Sequence, residues 1–506
     1  MPSLGLAMIV KNGAETLQQC LRSIAGVTNQ IVIADTGSSD GTPQLARELG
    51  ADVFDFSWQD DFAQARNAAI HALATDWVLI MDDDEELDPR ARERIPALLN
   101  RAEANHAEAN HSGVNHAGVN HAGVNNAGVG GYLAILRNHI PVRFGSGGHA
   151  ASIQSDDGTI ARAKGGRAYA DFAICRLFRR HPQIYYVGRV HEHVEPRIHA
   201  LNLELAAGDF VIHHFGHLCS AAELRAKNEF YRKLGRLKVQ DVPNDPEAWV
   251  ELGLQEYEQF KNYSAGIECF EKALALNPSY SSVPLLSLAN LYIEIQADAR
   301  ALELLSGRVM SGRAAGAKEQ ICGDACYNLG RLKEARSAYL RALHILPEDS
   351  RIVSKLGLTE VRMGLKKNGL ARLIRALNAA PVLEMHDRLI KAYLFMNLMP
   401  QAAEAAERLA VEYPNPVIIL RAASIRSQMK QWKAAEDLVA RGLQIFPQSQ
   451  ELLQAKAELE EQNWRSQNSD CVTAARGLAR PAGHGQAQNS AYCTTGLSEE
   501  TSLARP

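Results

Sequence analysis

Five prolines in the second half of the chain recur at an almost constant spacing. They are Pro278, Pro347, Pro381, Pro414 and Pro447, separated by 69, 34, 33 and 33 residues, and the first interval is two periods. Each follows a segment with helical spacing in which small residues return at fixed offsets, as at 265–274, 334–343 and 434–443. A period of about 34 residues restricts this region to a stack of paired helices.

This period resembles that of tetratricopeptide (TPR) repeats. About six units fit between Pro246 and Pro447, of which the second, around 283–312, is degraded. Small residues let the two helices of a unit approach closely, and stacked units leave a concave groove that predicts a protein partner. We expect an all-α TPR solenoid over 246–465, a helical linker at 218–245 and a disordered tail at 466–506.

The first 100 residues alternate between short apolar strands and amphipathic helices. Strands are predicted at 4–10, 31–34, 52–54 and 77–81, and helices at 16–24, 42–49 and 62–73. This order predicts a doubly wound, mostly parallel sheet. The fold class is therefore α/β, followed by the all-α region.

The strand predicted at 77–81 runs directly into four consecutive carboxylates, Asp82 to Glu85. Acidic side chains this close repel one another unless a cation lies among them. Open α/β sheets bind ligands at the carboxyl ends of their strands, so these residues indicate a divalent-metal and phosphate site. The alternative is a solvated acidic turn that caps the next helix.

Four segments in register carry a second resemblance. They read MIVKNGAETLQQCLRSI, IVIADTGSSDGT, DFAQARNAAI and WVLIMDDDEEL, all within residues 1–100. Together they resemble a family 2 inverting glycosyltransferase of the Rossmann-like GT-A fold, which we expect over 1–217. Members joined to a C-terminal TPR array form a bacterial subgroup. The resemblance implies a nucleotide-sugar donor, with a UDP-sugar preferred.

The resemblance assigns donor-binding roles to residues at the strand ends. They are Lys11, Asn12, Asp35, Asp40, Arg66, Asp82 and Asp83. Asp35 can accept from a nucleobase N–H or only close an Asx-turn, and Asp40 can touch the donor or only shape the turn. Arg66 can pair with phosphate or stack on the base, or be an ordinary surface arginine. Asn67 is expected to be structural.

The resemblance also implies a metal site and a catalytic base. Asp84 of the Asp-x-Asp motif and His214 would bind Mn²⁺ or Mg²⁺, while Glu85 and Glu86 stay unassigned. The segment 188–193 follows an RLFR sequence and offers Glu192 as the base, with His191 as its competitor. Gly13 departs from the family pattern, in which an acidic residue often follows the Asn of the first strand.

A five-residue repeat interrupts the domain at 103–130. Its Asn, His and Gly residues bury no core, so we expect a disordered loop; His106, His111, His116 and His121 offer metal binding as the alternative. The segment 145–150 (GSGGHA) is expected to be a flexible turn rather than a phosphate loop. A zinc hydrolase built on His191, His193, His213 and His214 ranks last, because His-Glu-His lacks the His-Glu-x-x-His spacing.

Bulk composition sets the remaining expectations. The 506 residues allow two or three domains, and a net charge of −4 gives no electrostatic pull toward nucleic acid. No apolar stretch reaches membrane-spanning length, and eight scattered cysteines show no disulfide framework, so we expect a soluble cytoplasmic protein. The sequence does not distinguish among a glycan, a lipid-linked molecule and a protein as the acceptor. The alternative function is a TPR scaffold with an inactive transferase domain.

Overall fold

A computed structural model describes residues 1–112, 128–140, 154–155, 168–216 and 221–467. The chain divides into two compact units, Met1–Thr359 and Glu360–Pro506. Most of the pentapeptide repeat, the segment 145–150 and the tail beyond residue 467 lie outside the described residues. The expectations for those segments therefore stay predictions.

The first unit begins with a mixed β-sheet. Its strands are β1 (Leu4–Val10), β2 (Gln30–Asp35), β3 (Asp52–Asp55), β4 (Trp77–Ile80), β5 (Glu85–Leu87), β6 (Val129–Ile140), β7 (Gln154–Ser155), β8 (Ala168–Arg179) and β9 (Glu204–His214). They are arranged β3-β2-β1-β4-β8-β6-β9-β5, with β7 paired to β8. The strands β3, β2, β1 and β4 are parallel, as the sequence predicts.

Helices cover both faces of this sheet. They are α1 (Leu17–Ser23), α2 (Thr42–Glu48), α3 (Phe62–Ala72), α4 (Ala91–Ser112) and α5 (Glu195–Ala200). One apolar core joins β1 and β4 to α1 and α4, and the other joins the opposite face of the same strands to α3 and α5. Burial on both faces explains why β1 and β4 are apolar at every position.

One expectation for the pentapeptide repeat is wrong at its start. Residues 103–112 are not a loop, because α4 continues through them to Ser112. Ala102 is fully buried in the core under the sheet, and Glu103 accepts hydrogen bonds from Trp77 and Arg179. These contacts anchor the helix at the point where the repeat begins. At the other end of the repeat, Val129 already belongs to β6.

Beyond the sheet the first unit is helical. It contains α6 (Ala221–Asp241), α7 (Pro246–Glu258), α8 (Tyr263–Leu276), α9 (Ser282–Glu294), α10 (Asp298–Leu305), α11 (Gly312–Asn328), α12 (Leu332–Ile345) and the start of α13 (Ser350–Arg362). Small residues lie at the closest helix contacts, where a Cβ on Gly253 would approach Phe270 to 2.7 Å. The degraded second repeat still forms a helix pair, with α10 shortened to eight residues.

The second unit continues the helical hairpins. Its helices are α14 (Lys366–Ala379), α15 (Leu383–Phe395), α16 (Met399–Glu412), α17 (Pro416–Gln428), α18 (Trp432–Ile445) and α19 (Gln450–Gln467). Alanines of α16 and α17 fill one continuous core with Leu438 and Val439. The all-α expectation is thus confirmed. Among the described residues, no helix has both the length and the hydropathy that a membrane span requires.

Candidate active site

The parallel strands bring the predicted donor residues to one edge of the sheet. In the register of β1, β2 and β3, Val10 lies beside Asp35, and Asp35 beside Asp55. β4 pairs with β1 up to Ile80, so the carboxylates that follow it emerge at the same edge. Asn12, Asp35 and Asp82 therefore lie at the same edge of the sheet although helices and strands separate them in sequence.

Asp35 closes an Asx-turn with one carboxylate oxygen, whereas its other oxygen has no partner among the described residues. Its Oδ2 closes an Asx-turn by accepting from the backbone N–H groups of Gly37 (3.2 Å) and Ser38 (3.0 Å). Its Oδ1 is buried and has no hydrogen-bond partner among the described residues. A buried carboxylate oxygen without a partner is costly, so this atom is suited to accept from a ligand N–H.

Asn12 and Asp40 build the turn beside Asp35. Asn12 has a left-handed φ of 56°, and its Oδ1 accepts from the N–H of Ser39 at 2.8 Å. Asp40 accepts from both the N–H and the hydroxyl of Thr42, and its hydroxyl hydrogen bond lowers the pKa of Asp40. The alternative role for Asp40, shaping the turn, is thus what its contacts show. Lys11 is exposed at the end of β1.

Two buried arginines tie the acidic motif to the rest of the site. Arg66 lies between Asp82 (Nη2 to Oδ1, 2.9 Å) and Glu192 (Nε to Oε1, 2.5 Å). Arg176, from β8, lies 2.8 Å from Glu85 and 3.6 Å from Asp82. Arg66 is therefore not an ordinary surface arginine. It joins the end of β4 to the segment that carries the candidate base.

Charge compensation and burial act in opposite directions in this cluster. Burial would raise the pKa of Asp82, but Arg66 and Arg176 hold that pKa well below its usual range. Burial raises the pKa of Glu85 to about 7 despite its contact with Arg176. Asp82 is therefore a permanent anion near neutral pH, whereas Glu85 is close to its titration point.

Asp83 makes a different contact from its neighbours. Its Oδ2 accepts from the Thr16 hydroxyl at 2.6 Å, at the start of α1, and burial raises the pKa of Asp83 to about 6. A Cβ at Gly13 would come within 2.6 Å of the same oxygen. Glycine at position 13 therefore makes room for Asp83, which gives a packing reason for the departure from the family pattern.

Asp84 and His214 form the candidate metal pair. Glu85 pairs with His214 in the β5–β9 register, and His214 Nε2 lies 3.5 Å from Asp84 Oδ2. On the other side of the ring, His214 Nδ1 contacts Asn138 Oδ1 at 2.5 Å. Burial opposes protonation of the imidazole, but Asp84 and the adjoining carboxylates raise the pKa of His214. A fixed Nδ1 orients Nε2 toward Asp84, as in metal-binding histidines.

Gly216 leaves a small space between these two ligand atoms. A Cβ built on it would lie 2.4 Å from Asp84 Oδ2 and 2.6 Å from His214 Nε2. Among the residues that the structure describes, no group of three or more His, Cys, Asp and Glu side chains can hold a metal ion. The pair thus offers one oxygen and one nitrogen, and a cation there needs further ligands from a bound molecule or water.

His213, next to His214, has different contacts. Its ring lies 2.9 Å from His139 and 3.4 Å from Asp88, all three residues being fully buried. Burial lowers the pKa of His213. The zinc-hydrolase alternative gains nothing from this arrangement, because His213 and His214 contact different carboxylates.

The segment 187–193, here called the Glu192 segment, is a tight loop. Val187 and His193 exchange backbone hydrogen bonds of 3.0 and 3.1 Å, and His191 has a left-handed φ of 51°. The Glu192 side chain is only 11% exposed where it meets Arg66, whereas His191 is exposed. Its ring lies 6.0 Å from that of Tyr231. Glu192 thus contacts the charged cluster directly, whereas the contact of the His191 ring is with Tyr231.

Sequence reasoning missed three residues of the site. Arg176 lies within the RLFR sequence, so that motif was its only signal. Asn138 follows the repeat insertion and has no motif around it. Tyr231 lies on α6, which reads as a linker, yet Tyr231 packs on Phe62 of α3, and burial with the charges of nearby carboxylates raises the pKa of its phenol.

Comparison with known sequences agrees with this arrangement. Residues 6–126 match the model described as "Glycosyl transferase family 2", and residues 257–362 match that of "Tetratricopeptide repeat-like domain". The chain therefore carries a family 2 glycosyltransferase domain at its N-terminus and a TPR-like region after it. Both resemblances seen in the sequence are confirmed at this level.

Individual relatives are similar over short stretches. A TPR repeat-containing protein of Synechococcus elongatus is 42% identical over 104 residues, 21% of this chain and 26% of that protein. An uncharacterized glycosyltransferase of Rickettsia prowazekii is 30% identical over 95 residues, 19% of this chain and 32% of that protein. The SPbeta prophage-derived glycosyltransferase SunS of Bacillus subtilis is 29% identical over 86 residues, which are 16% of this chain and 20% of that protein. The chain thus spans a fifth to a third of these relatives' lengths.

Proposed function

We propose that this protein is a metal-dependent inverting glycosyltransferase that uses a nucleotide-sugar donor, preferably a UDP-sugar. The observation that carries the proposal is the pairing of two features at one sheet edge. One is the unpartnered, buried Oδ1 of Asp35, and the other is the oriented Asp84–His214 pair. The first suits a nucleobase N–H, and the second suits a cation beside a diphosphate.

The donor would extend along the edge of the sheet from Asp35 toward Asp84. Its base would donate an imide N–H to Asp35 Oδ1, and its ribose would contact Asp82, which Arg66 holds in place. Lys11, exposed at the end of β1, would contribute positive charge toward the phosphates. Asn12, Asp40 and Asp83 would act indirectly, because their carboxylate or amide groups are already used by the turn and by Thr16.

Asp84 and His214 would hold Mn²⁺ or Mg²⁺. The donor set fits: a carboxylate and an imidazole oriented by Asn138 face each other across the space left by Gly216. When bound, the cation would neutralise charge on the departing nucleoside diphosphate. The protein's own contribution is to fix both ligands on neighbouring strand ends, so that little ordering is required on binding.

Glu192 is the proposed catalytic base, with His191 as the alternative. Inversion by a single displacement requires a base that takes the proton of the acceptor hydroxyl as it attacks the anomeric carbon. The contact with Arg66 holds the Glu192 carboxylate in place near Asp82. His191 lies further along the same loop and is exposed, with no ion pair to orient it among the described residues.

The acceptor is a glycan, a lipid-linked molecule or a protein, and the TPR-like repeats would bind it or a separate protein partner. We place the reaction in the cytoplasm, where nucleotide sugars are available. The contacts within α7 to α12 form a continuous helical stack of the kind that presents a groove to a protein.

Titration calorimetry of UDP into the purified protein, with and without Mn²⁺, tests the donor site. We expect binding that needs the cation and is lost in Asp84→Ala. The matched control is Asp437→Ala, which removes an exposed carboxylate of α18 and should bind as wild type does. The product of a UDP-sugar that binds would then be examined by NMR for inversion at the anomeric carbon.

Two results would contradict the proposal. Binding of UDP with equal affinity in the absence of cation and in Asp84→Ala would refute the metal site. Failure to bind UDP, GDP and CMP-type nucleotides would favour the alternative, a TPR scaffold whose transferase domain is inactive.

A further inference from the structure

Helix α6 is not a passive linker, because it contacts the Glu192 segment directly. The sequence places this helix between the sheet domain and the repeats. In the structure it packs along α7 and carries Phe230 and Tyr231 against Trp58 and Phe62. Phe62 begins α3, the helix that presents Arg66 one turn later. The helix therefore covers the same part of the sheet domain that holds the charged cluster.

Lys238 makes the central contact. It is 5% exposed, and its Nζ donates to the backbone carbonyl of Val190 at 3.0 Å and to Glu251 of α7 at 2.7 Å. A Cβ at Gly188 would lie 3.5 Å from this ammonium group. A buried lysine is costly unless its donors are used, so a residue with these partners holds a specific geometry.

Other contacts surround this one. Arg189 pairs with Asp241 at the end of α6 at 2.6 Å, and its backbone carbonyl accepts from the N–H of Phe62 at 2.9 Å. Lys233 of α6 pairs with Asp60 at 2.6 Å, and Arg189 also donates to the carbonyl of Asp60. The start of α3, the Glu192 segment and α6 are therefore joined by several independent contacts.

We propose that Lys238 is a positioning residue for the reaction, and that α6 and α7 are consequently part of the catalytic unit. Lys238 fixes the carbonyl two residues before Glu192, and Glu192 in turn contacts Arg66, which contacts Asp82. The identity of the reaction rests on the proposed function, but the coupling between α6 and the Glu192 segment does not.

The expected consequence follows from the loop geometry. Without the ammonium group, Val190 loses its hydrogen bond, and Gly188, which has the conformational freedom of glycine, allows the backbone to move. A displacement of the candidate base by about 1 Å can cost about a hundredfold in rate while leaving donor binding intact. A residue that only stabilises the fold would instead weaken every property together.

The test uses the full chain with three variants of Lys238 and a control. Lys238→Met removes the ammonium group, the double variant Lys238→Met with Glu251→Gln avoids an unpaired carboxylate, and Lys238→Arg is the conservative rescue. Lys227→Met, at an exposed position of the same helix, is the control. The measurements are hydrogen exchange of residues 187–193, UDP affinity with Mn²⁺, and UDP release from the UDP-sugar that wild type binds most tightly.

We expect faster exchange at 187–193 in both Met variants, UDP affinity within about twofold of wild type, and kcat for UDP release lowered by about tenfold or more at unchanged KM. Lys238→Arg should recover most of kcat, and Lys227→Met should match wild type. Unchanged exchange in the Met variants would overturn the coupling. Equal loss of UDP affinity and kcat would overturn the positioning role. If wild type binds no UDP, the proposed function fails, while the exchange result still decides whether α6 holds the segment.

Discussion

Replacing Gly216 by alanine tests the candidate cation site with a single methyl group. The Cβ would lie 2.4 Å from Asp84 Oδ2 and 2.6 Å from His214 Nε2. Gly216 is not among the described glycines with a left-handed φ, so its backbone accepts alanine. The substitution therefore acts on the two ligand atoms rather than on the chain conformation.

The expected loss of Mn²⁺-dependent UDP affinity follows from these distances. Real Cβ atoms keep at least 3.0 Å from such neighbours, so the carboxylate oxygen must move by about 0.6 Å and the imidazole nitrogen by about 0.4 Å. Metal–ligand distances tolerate deviations of only about 0.2 Å. Both ligands would thus leave the range that holds a cation. We expect Mn²⁺-dependent UDP affinity to fall by about a hundredfold, or roughly 2.7 kcal/mol.

Calorimetry with UDP at a fixed Mn²⁺ concentration measures this loss, beside thermal unfolding of each variant. The control is Gly235→Ala on α6, where a Cβ approaches its neighbours only to 3.2 and 3.4 Å. The Gly235→Ala variant should bind UDP as wild type does, and it should unfold at an equal or higher temperature because alanine favours helix more than glycine does. Wild-type affinity in Gly216→Ala would refute the assignment of the cation to this space.

Three other changes have defined outcomes. Asp35→Asn keeps an acceptor for the Asx-turn but places an NH₂ group where Oδ1 now lies. In calorimetry, UDP affinity should therefore fall by about tenfold or more, and binding should still require Mn²⁺. An affinity equal to that of wild type would show that Asp35 does not contact the base. Gly13→Ala should displace Asp83 and lower stability by about 1–3 kcal/mol in urea unfolding, and an unchanged midpoint would contradict the packing argument. Glu256→Gln should lower the free energy of unfolding by about 2 kcal/mol at pH 7. Burial opposes ionisation of Glu256, but its contact with Arg232 nevertheless holds the pKa of Glu256 below 4.5. That carboxylate therefore stabilises the fold above about pH 4.5, and the urea midpoints of the two proteins should converge as pH falls below that value; a constant gap would be inconsistent with ionisation as the cause.

The fold of the first 100 residues is predictable because its information is local. The strands β1, β2 and β4 are largely apolar runs buried on both faces, and turn-forming residues follow them, so the order of elements and the position of Asp35 and Asp82 follow. The repeat period predicts the helical region in the same way, because each hairpin packs mainly on its neighbours. Even the shortened α10 coincides with the unit that the sequence marks as degraded.

The rest of the site depends on contacts between distant residues. Arg176 reaches Glu85 across 91 positions, and Lys238 reaches Val190 across 48. The partner of Arg176 is set by the part of the sheet beyond β4, where β6 carries irregularities in its antiparallel pairing with β8 and in its parallel pairing with β9. The partner of Lys238 is set by the packing of α6 on the Glu192 segment. A register that shifts within a strand cannot be inferred from alternation alone. His214 is identified by its motif, but its partner Asn138 is not.

The charges of the cluster are the reason to expect that the proposed donor site requires a cation although two arginines lie beside it. The carboxylates of Asp82 and Glu192 already balance the two guanidinium charges, and Glu85 adds a further negative charge when it is ionised, so the arginines offer no net positive charge to a diphosphate. Each still has one buried nitrogen, Arg66 Nη1 and Arg176 Nε, that has no hydrogen-bond partner in the described ranges and can donate to a ligand. Adding two phosphate charges beside these carboxylates would be repulsive. The Asp84–His214 pair is where a divalent ion can offset that repulsion, and the arginines keep the carboxylates fixed around it.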